Sequence, residues 1–231
     1  MLVRQGHRDA ARYVLDDMVE DVLDRLEFMR LEPRRILVVG DWTGTLALSL
    51  RGRGAHVEEA NVRSIDEEEP LISGPYDLVV SLASLDKVND LPGALLHLHR
   101  ALDKGGILIA SVVGAGSLSN LRRAMIAAEP DRPAARMHPL IDTAAASALL
   151  QRALFNRQVV DSHRLEVAYS SLDRLVSDLR DQGLTSALAS TPPSLGKAAF
   201  NRARDAFLRT TDEHGRVIET FEILTLTGWK D

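Results

Sequence analysis

Residues 34–50 read RRILVVGDWTGTLALSL, and the rest of the fold can be predicted outward from this stretch. An apolar run at 36–39 breaks at Gly40, and leucines return with helical spacing from Leu46 onward. A continuous apolar run is typical of a strand that is buried on both faces of a parallel sheet. A glycine-bearing loop that enters a helix N-terminus is a common place for an anion or a nucleotide. The stretch therefore predicts a strand, a tight ligand-binding loop and a helix.

The composition restricts the class of protein. The chain has 231 residues, of which 45% are apolar, and a formal charge of -5; this suits one large α/β domain or two small ones. The acidic balance argues against nucleic acid as a partner, because phosphate binding needs a basic stripe. The absence of cysteine excludes disulfides and thiolate metal sites, and the seven histidines predict no metal centre.

The apolar segments are too short for a membrane protein. No run approaches the roughly 18 apolar residues that a membrane helix needs, and the first residues do not resemble a signal peptide. We therefore expect a cytoplasmic protein without a transmembrane segment, which can associate peripherally with a larger complex.

Strand and helix patterns alternate after the central stretch. Apolar density predicts buried strands at 76–82 and 107–113, and leucine spacing predicts helices at 89–102 and 118–128. Such alternation with short loops indicates an α/β fold with a doubly wound, mostly parallel sheet. An amphipathic helix at 9–30 is expected to pack across this sheet.

The second half of the chain adds helices and a pair of strands. Helical spacing recurs in three segments, 143–154, 171–182 and 195–211. Strands are predicted at 158–169 and 217–229, and we expect them to lie side by side. No linker or repeat interrupts the sequence, so we predict one domain over 1–231 with a helical insertion at about 115–155 and 170–212.

Several stretches resemble, in order, one known family. They are HRDAARYVLDDMVEDVLDRL, YDLVVSLASLDKVNDLPGALLHLHRALDKGGILIAS, GSLSNLRRAMIAAE, ARMHPLID, VVDSHRLEVAYSSLDRLVSDLRDQG and ETFEILTLTGW. The family is that of the methyltransferase-like complex I assembly factors and their bacterial relatives, with carrier-protein O-methyltransferases as more distant cousins. The resemblance implies the class I S-adenosylmethionine-dependent methyltransferase fold, a seven-stranded sheet whose last strand is antiparallel. It also implies S-adenosylmethionine as cofactor and a respiratory-complex subunit or another protein as partner.

The cofactor loop of that family usually has a leading acid and three glycines spaced two apart. The glycines let the backbone approach the cofactor closely. Two of them match here, at Gly40 and Gly44, with Asp41 between them. The acid is replaced by Val38 and the middle glycine by Trp42, which could fill the pocket, swing outward or stack on a bound ligand.

The stretch after the first helix is shorter than the resemblance implies. About 20 residues cannot hold a further strand and a crossover helix, so we expect one strand-helix unit to be missing. The family's ribose-binding acid could be replaced by Glu58 or Glu59, which could also be merely solvated. By resemblance, Asp66 would lie near the adenine, and Ser81 and Leu82 would line the pocket after their strand.

The substrate side is predicted only by resemblance. Asp86 and Lys87 stand where the family has a His-Trp pair, and they could instead pair with each other at the surface. Arg122, Arg136 and Tyr169 match family positions. Their structural alternatives are a helix-surface arginine, a loop arginine bound to a carbonyl, and a core tyrosine.

Two functions from different classes are therefore open, and no catalytic residue is identified. The first is a methyltransferase-like protein that binds S-adenosylmethionine weakly and modifies a protein or small acceptor. Because one mitochondrial member is described as a protein-arginine hydroxylase, the fold does not decide the reaction. The second is an inactive pseudo-methyltransferase that acts as a binding or assembly scaffold. A Rossmann dehydrogenase is a weaker third hypothesis, since GDWTG lacks the GxGxxG spacing.

Overall fold

The computed structural model describes residues 10–61, 64–131, 134, 136–185 and 192–231. It contains seven α-helices and six strands within those ranges. The helices are α1 Tyr13–Phe28, α2 Thr45–Gly52, α3 Leu91–Ala101, α4 Ser119–Ala128, α5 Thr143–Arg152, α6 Leu172–Asp181 and α7 Lys197–Leu208. The strands are β1 Arg35–Val39, β2 His56–Ala60, β3 Tyr76–Leu82, β4 Leu102–Val113, β5 Arg157–Tyr169 and β6 Val217–Trp229.

The six strands form one mixed sheet in the order β2-β1-β3-β4-β6-β5. Strand β1 is parallel to both β2 and β3, and β3 is parallel to β4. Strand β6 is antiparallel to β4 and is the neighbour of β5. The structure confirms the predicted doubly wound, mostly parallel sheet, the antiparallel last strand and the pairing of the two late strands.

The sheet is one strand shorter than the resemblance implies. Between β2 and β3, residue 61 and residues 64–75 form neither a helix nor a strand, which confirms the missing strand-helix unit. Strand β2 therefore lies at the edge of the sheet. Other differences are small: β4 begins five residues before the predicted strand at 107–113, and residue 9 of the predicted first helix lies outside the described residues.

Contacts divide the chain into two compact units, which are described separately. The sheet unit comprises Tyr13–Gly114, Ile141–His163 and Ile223–Asp231. The second unit comprises Ala115–Leu140 and Arg164–Glu222 with the described part of Met1–Arg12. The prediction of a single domain with a helical insertion stays a prediction.

The core of the sheet unit is apolar and fully buried. It joins residues of β1, β3, β4 and β6 to α3 and α5, and its largest members include Leu37, Leu98 and Phe155. Helix α1 is tied to β5 by two side-chain contacts. Arg25 contacts Asp161, and a ring nitrogen of His163 lies 2.6 Å from a carboxylate oxygen of Asp17.

The second unit is mainly helical, with the ends of two strands. Leu175, Ala203 and Phe207 are buried on its helices. The carboxylate of Glu219, on β6, accepts hydrogen bonds from the amides of Asn120 and Leu121, at 3.1 and 2.9 Å. These amides belong to the first turn of α4, so a buried strand residue caps this helix.

Candidate functional site

The loop after β1 holds two glycines in the left-handed region, and their surroundings differ. Gly40 has φ of 88°, and a Cβ built there would lie 2.1 Å from the carbonyl oxygen of Leu82. Gly44 has φ of 71° and directly precedes α2. Among the described residues, apart from the chain neighbours of Gly44, one heavy atom lies within 4 Å of its Cβ position, Oε2 of Glu59 at 3.8 Å. Gly40 is therefore required for packing against β3, whereas Gly44 offers a face that a ligand can approach.

Asp41 caps the helix that follows the loop. Its Oδ2 accepts hydrogen bonds from the amides of Leu46 and Ala47, at 2.8 and 3.1 Å. Its Oδ1 accepts one from the hydroxyl of Thr43, at 2.8 Å. A carboxylate at this position compensates the unpaired amides and the positive end of the helix dipole. The N-terminus of α2 is thus satisfied by the chain itself.

An Asp41→Ala variant is expected to lose about 2 kcal/mol of unfolding free energy, because both buried amides lose their acceptor. Urea denaturation followed by circular dichroism measures the loss. The matched control is Asp142→Ala, which removes the cap of α5, where an exposed carboxylate accepts one amide, from Ala145, at 2.7 Å. A smaller loss is expected there, since water can replace the cap, and an equal loss in both variants would contradict this account of Asp41.

The two glutamates of β2 point to opposite faces of the sheet, as neighbours on a strand do. The carboxylate of Glu58 accepts hydrogen bonds from the hydroxyls of Ser73, at 3.0 Å, and Tyr76, at 2.6 Å. Burial, as the larger cause, and the hydrogen bond to Glu58, as the second, raise the pKa of Tyr76 to about 12. Glu59 instead lies beside Gly44 and pairs with Arg51 at 2.6 Å. Of the two predicted acids, only Glu59 lies next to the loop.

A buried acid with two serine neighbours lies where β3 ends. Glu67 is 5% exposed and accepts a hydrogen bond from the hydroxyl of Ser84 at 2.9 Å. The hydroxyls of Ser84 and Ser81 are 2.8 Å apart. Asp66, predicted near the adenine, is exposed, and its carboxylate accepts the amide of Glu68 at 3.0 Å. The buried acid is therefore Glu67 and not the predicted Asp66.

The pair at the family's His-Trp position lies in a short 3-10 turn, Leu85–Lys87. The amine of Lys87 donates to the carbonyl of Ala83 and lies 3.9 Å from Oδ1 of Asp86. Their side chains are 18% and 9% exposed. The two residues thus pair with each other, but below the surface.

The other three substrate-side candidates belong to the second unit. Arg122 is exposed on α4, and Arg136 donates to the carboxylate of Glu129 at 2.8 Å. Tyr169 is 2% exposed at the end of β5. Whether any of them contacts a substrate stays a prediction.

Two residues of this region were not predicted. Asn61 directly follows β2, and its position one residue after the strand was the available signal. Glu67 lies in an acidic run, and nothing in the sequence distinguishes it from its neighbours. Trp42 is partly exposed, and its backbone amide donates to the carbonyl of Gly40 at 2.9 Å.

The described residues show no metal cluster. No group of three or more His, Cys, Asp or Glu in them could hold a metal ion. His97 and His99 are only two residues apart, but the ring of His99 packs edge-on against Phe155, with 4.9 Å between centroids. Among the same residues, no helix is long and apolar enough to cross a membrane.

Solved structures define the class of fold. A methyltransferase-like protein of Bacillus halodurans superposes with a TM-score of 0.53 at 14% identity, covering 90% of this chain and 98% of that chain. Phosphoethanolamine N-methyltransferase 2 of Haemonchus contortus, in complex with S-adenosylhomocysteine, gives 0.50 at 15% identity, covering 85% and 49%. The chain therefore has the Rossmann-like fold of the class I S-adenosylmethionine-dependent methyltransferases.

Sequence comparison gives more specific relatives. The chain is 32% identical over 198 residues to the mitochondrial arginine-hydroxylase NDUFAF5 of Danio rerio, covering 79% of this chain and 58% of that protein. It is 28% identical over 226 residues to malonyl-[acyl-carrier protein] O-methyltransferase 1 of Coxiella burnetii, covering 90% and 77%. The chain spans only 52% of the Mus musculus arginine-hydroxylase NDUFAF5. No protein-family model matches the chain.

Proposed function

We propose that the chain binds S-adenosylmethionine, weakly, at the carboxyl ends of β1, β2 and β3, and modifies a protein or small acceptor. In this respect it would act as a methyltransferase-like protein of the complex I assembly factor type. The observation that carries the proposal is the open face of Gly44. Among the described residues beyond its chain neighbours, the carboxylate of Glu59 alone has an atom within 4 Å of the Cβ position of Gly44. A backbone without a side chain lets a ligand approach closely.

The residues around Gly44 suit the cofactor. The carboxylate of Glu59 can accept hydrogen bonds from two ribose hydroxyls. Its ion pair with Arg51 is partly exposed, with side chains 40% and 45% exposed, so little stability is lost when a ligand displaces it. The amide side chain of Asn61 follows at the end of the same strand. We assign further contacts to Asp41, Trp42, Asp66, Ser81 and Leu82, together with Gly40 and Gly44.

Two departures from the family pattern support weak binding. Val38 cannot accept a hydrogen bond where the family has an acid, and the side chain of Trp42 stands where the family has none. The absence of an identified base does not argue against activity. The bound cofactor supplies an already activated methyl group, so the protein mainly has to align the acceptor. Asp86, Arg122, Arg136 and Tyr169 are our candidates for the acceptor side.

Calorimetric titration with S-adenosylmethionine and S-adenosylhomocysteine tests the proposal. We expect native protein to bind with a Kd below about 1 mM, and Glu59→Gln to bind about tenfold more weakly, because charged acceptors make the stronger hydrogen bonds. Glu69→Gln is the matched control, since Glu69 is exposed in the loop before β3 and is expected to leave the affinity unchanged.

A Trp42→Gly variant separates this proposal from the scaffold alternative. We expect the native protein to bind S-adenosylmethionine and the Trp42→Gly variant to bind it more tightly. Binding gained only in the variant, with none to the native protein at millimolar ligand, would contradict the proposal and favour an inactive scaffold. The nature of a partner protein and the cytoplasmic location stay predictions, since the similar arginine-hydroxylases are mitochondrial.

A further inference from the structure

A large cleft lies at the amino ends of β1 and β2, whereas the Gly40–Gly44 loop follows the carboxyl end of β1. Its volume is about 950 Å³, within the range of small-molecule sites. It is lined by the segment from the end of α1 to the start of β1, at 26–36, and by residues between α2 and β2, at 53–56. We call it the amino-edge cleft, because Arg35 and His56 are partners in register at the amino ends of β1 and β2.

Both walls of the amino-edge cleft are fixed by backbone hydrogen bonds. On one side, the amide of Leu31 donates to the carbonyl of Leu26 at 3.0 Å. On the other, the amide of Ala55 donates to the carbonyl of Leu50 at 3.2 Å. A 2.7 Å hydrogen bond from the amide of His56 to the carbonyl of Arg34 joins the two walls. The cleft is therefore formed before any ligand arrives.

Arginine dominates the charge of the cleft. Four arginines line it, Arg30, Arg34, Arg35 and Arg53, against two glutamates, Glu27 and Glu32. Within the described part of the chain, the guanidinium groups of Arg30, Arg34 and Arg53 have no hydrogen bond or ion pair. The chain as a whole has a formal charge of -5. The cleft therefore carries unpaired positive charge on an otherwise acidic protein.

The base of the cleft is apolar. Leu31, Pro33 and Ala55 line the cleft and are partly exposed, so they supply its accessible apolar surface. Leu26, Ile36 and Leu50 also line it, but each is at most 2% exposed. Guanidinium groups bind phosphate oxygens through paired, charge-assisted hydrogen bonds, and one phosphate offers enough oxygens for several arginines. An apolar base under a rim of arginines thus fits a ligand that carries phosphates on an apolar or aromatic body.

We propose that the amino-edge cleft binds a small phosphorylated molecule with an aromatic body, such as a nucleotide. The site is distinct from the proposed cofactor site, because the two lie at opposite ends of β1, a strand of five residues and so about 17 Å long. Binding at one site therefore does not require binding at the other. The proposal stands or falls independently of S-adenosylmethionine binding.

Titration of the native protein with ATP in EDTA at low salt tests the proposal. We expect ATP to bind in the micromolar range, more tightly than tripolyphosphate, because the adenine covers the apolar base. An Arg34→Ala/Arg53→Ala double variant is expected to bind ATP at least tenfold more weakly. The matched control is Arg152→Ala/Arg209→Ala, two exposed arginines outside the cleft, which is expected to keep native affinity. Thermal melting confirms that each variant is folded.

Three results would overturn the proposal. They are no ATP binding by the native protein at millimolar concentration, equal affinities of the native protein and the Arg34→Ala/Arg53→Ala variant, and displacement of ATP by saturating S-adenosylhomocysteine. Equal affinities for ATP and tripolyphosphate would refute the aromatic body of the ligand.

Discussion

A Gly40→Ala variant is expected to lose more than about 4 kcal/mol of unfolding free energy, a loss that few single substitutions cause. Two effects combine at this position. A non-glycine residue in the left-handed region costs about 1 to 2 kcal/mol, and the φ of Gly40 is 88°. In addition, the new Cβ would lie 2.1 Å from the backbone carbonyl oxygen of Leu82. A backbone atom of a central strand cannot move aside as a flexible side chain can, so β1 and β3 must separate at this end.

Gly54→Ala provides the matched control for the clash. Gly54 has the same φ of 88°, but no atom of the described residues outside its chain neighbours lies within 4 Å of its Cβ position. Its variant is expected to lose only the 1 to 2 kcal/mol or so of backbone strain. Urea denaturation of both variants and the native protein measures the difference. Similar losses in the two variants would show that the contact with Leu82 does not determine the need for glycine.

The packing role of Gly40 changes what its presence implies about function. A glycine that is required by the carbonyl of Leu82 would be needed in an enzyme and in an inactive scaffold alike. Gly44 is more informative, because the nearest described atom beyond its chain neighbours, Oε2 of Glu59, lies 3.8 Å from its Cβ position. Ligand binding, not packing, is then the property that tests the role of Gly44.

The central sheet could be predicted because its signals are local. The apolar run at 36–39 and the one at 76–82 are buried strands, since an uninterrupted apolar run has to be covered on both faces. The predicted strand at 217–229 matches β6 in both of its ends. The loss of a strand-helix unit was also predictable, because chain length sets a lower limit for a crossover.

The details of the candidate site depend on contacts that sequence does not specify. Consecutive strand residues face opposite sides, but only the register of β2 against β1 decides that Glu59, not Glu58, lies beside Gly44. Glu67 was not predicted because acids in a polar run are normally solvated. Its burial depends on Ser84, which is seventeen residues away in sequence.

Replacing Glu67 with glutamine is expected to remove a pH-dependent loss of stability. Burial raises the pKa of the Glu67 carboxyl to about 7. The hydrogen bond from Ser84 and the charge of Lys87 lower it, whereas the charge of Asp86 raises it. As pH rises from about 4.5 to 7, the unfolded chain releases this proton while the folded chain keeps it, so the native free energy of unfolding falls. The change is nearly complete above pH 7 and amounts to about 3 kcal/mol.

Glutamine keeps the shape and the uncharged state of the protonated acid at every pH. The free energy of unfolding of Glu67→Gln minus that of the native protein is therefore expected to increase by about 2 to 3 kcal/mol between pH 5 and pH 8. Urea denaturation at both pH values measures it, and the titrating groups that do not interact with Glu67 cancel in the difference. Glu69→Gln, at an exposed position of the same loop, controls for the replacement of a carboxylate by an amide. A constant difference for Glu67→Gln would mean that the Glu67 carboxylate is ionised in the folded protein and is stabilised by Ser84 and Lys87 against the cost of burial.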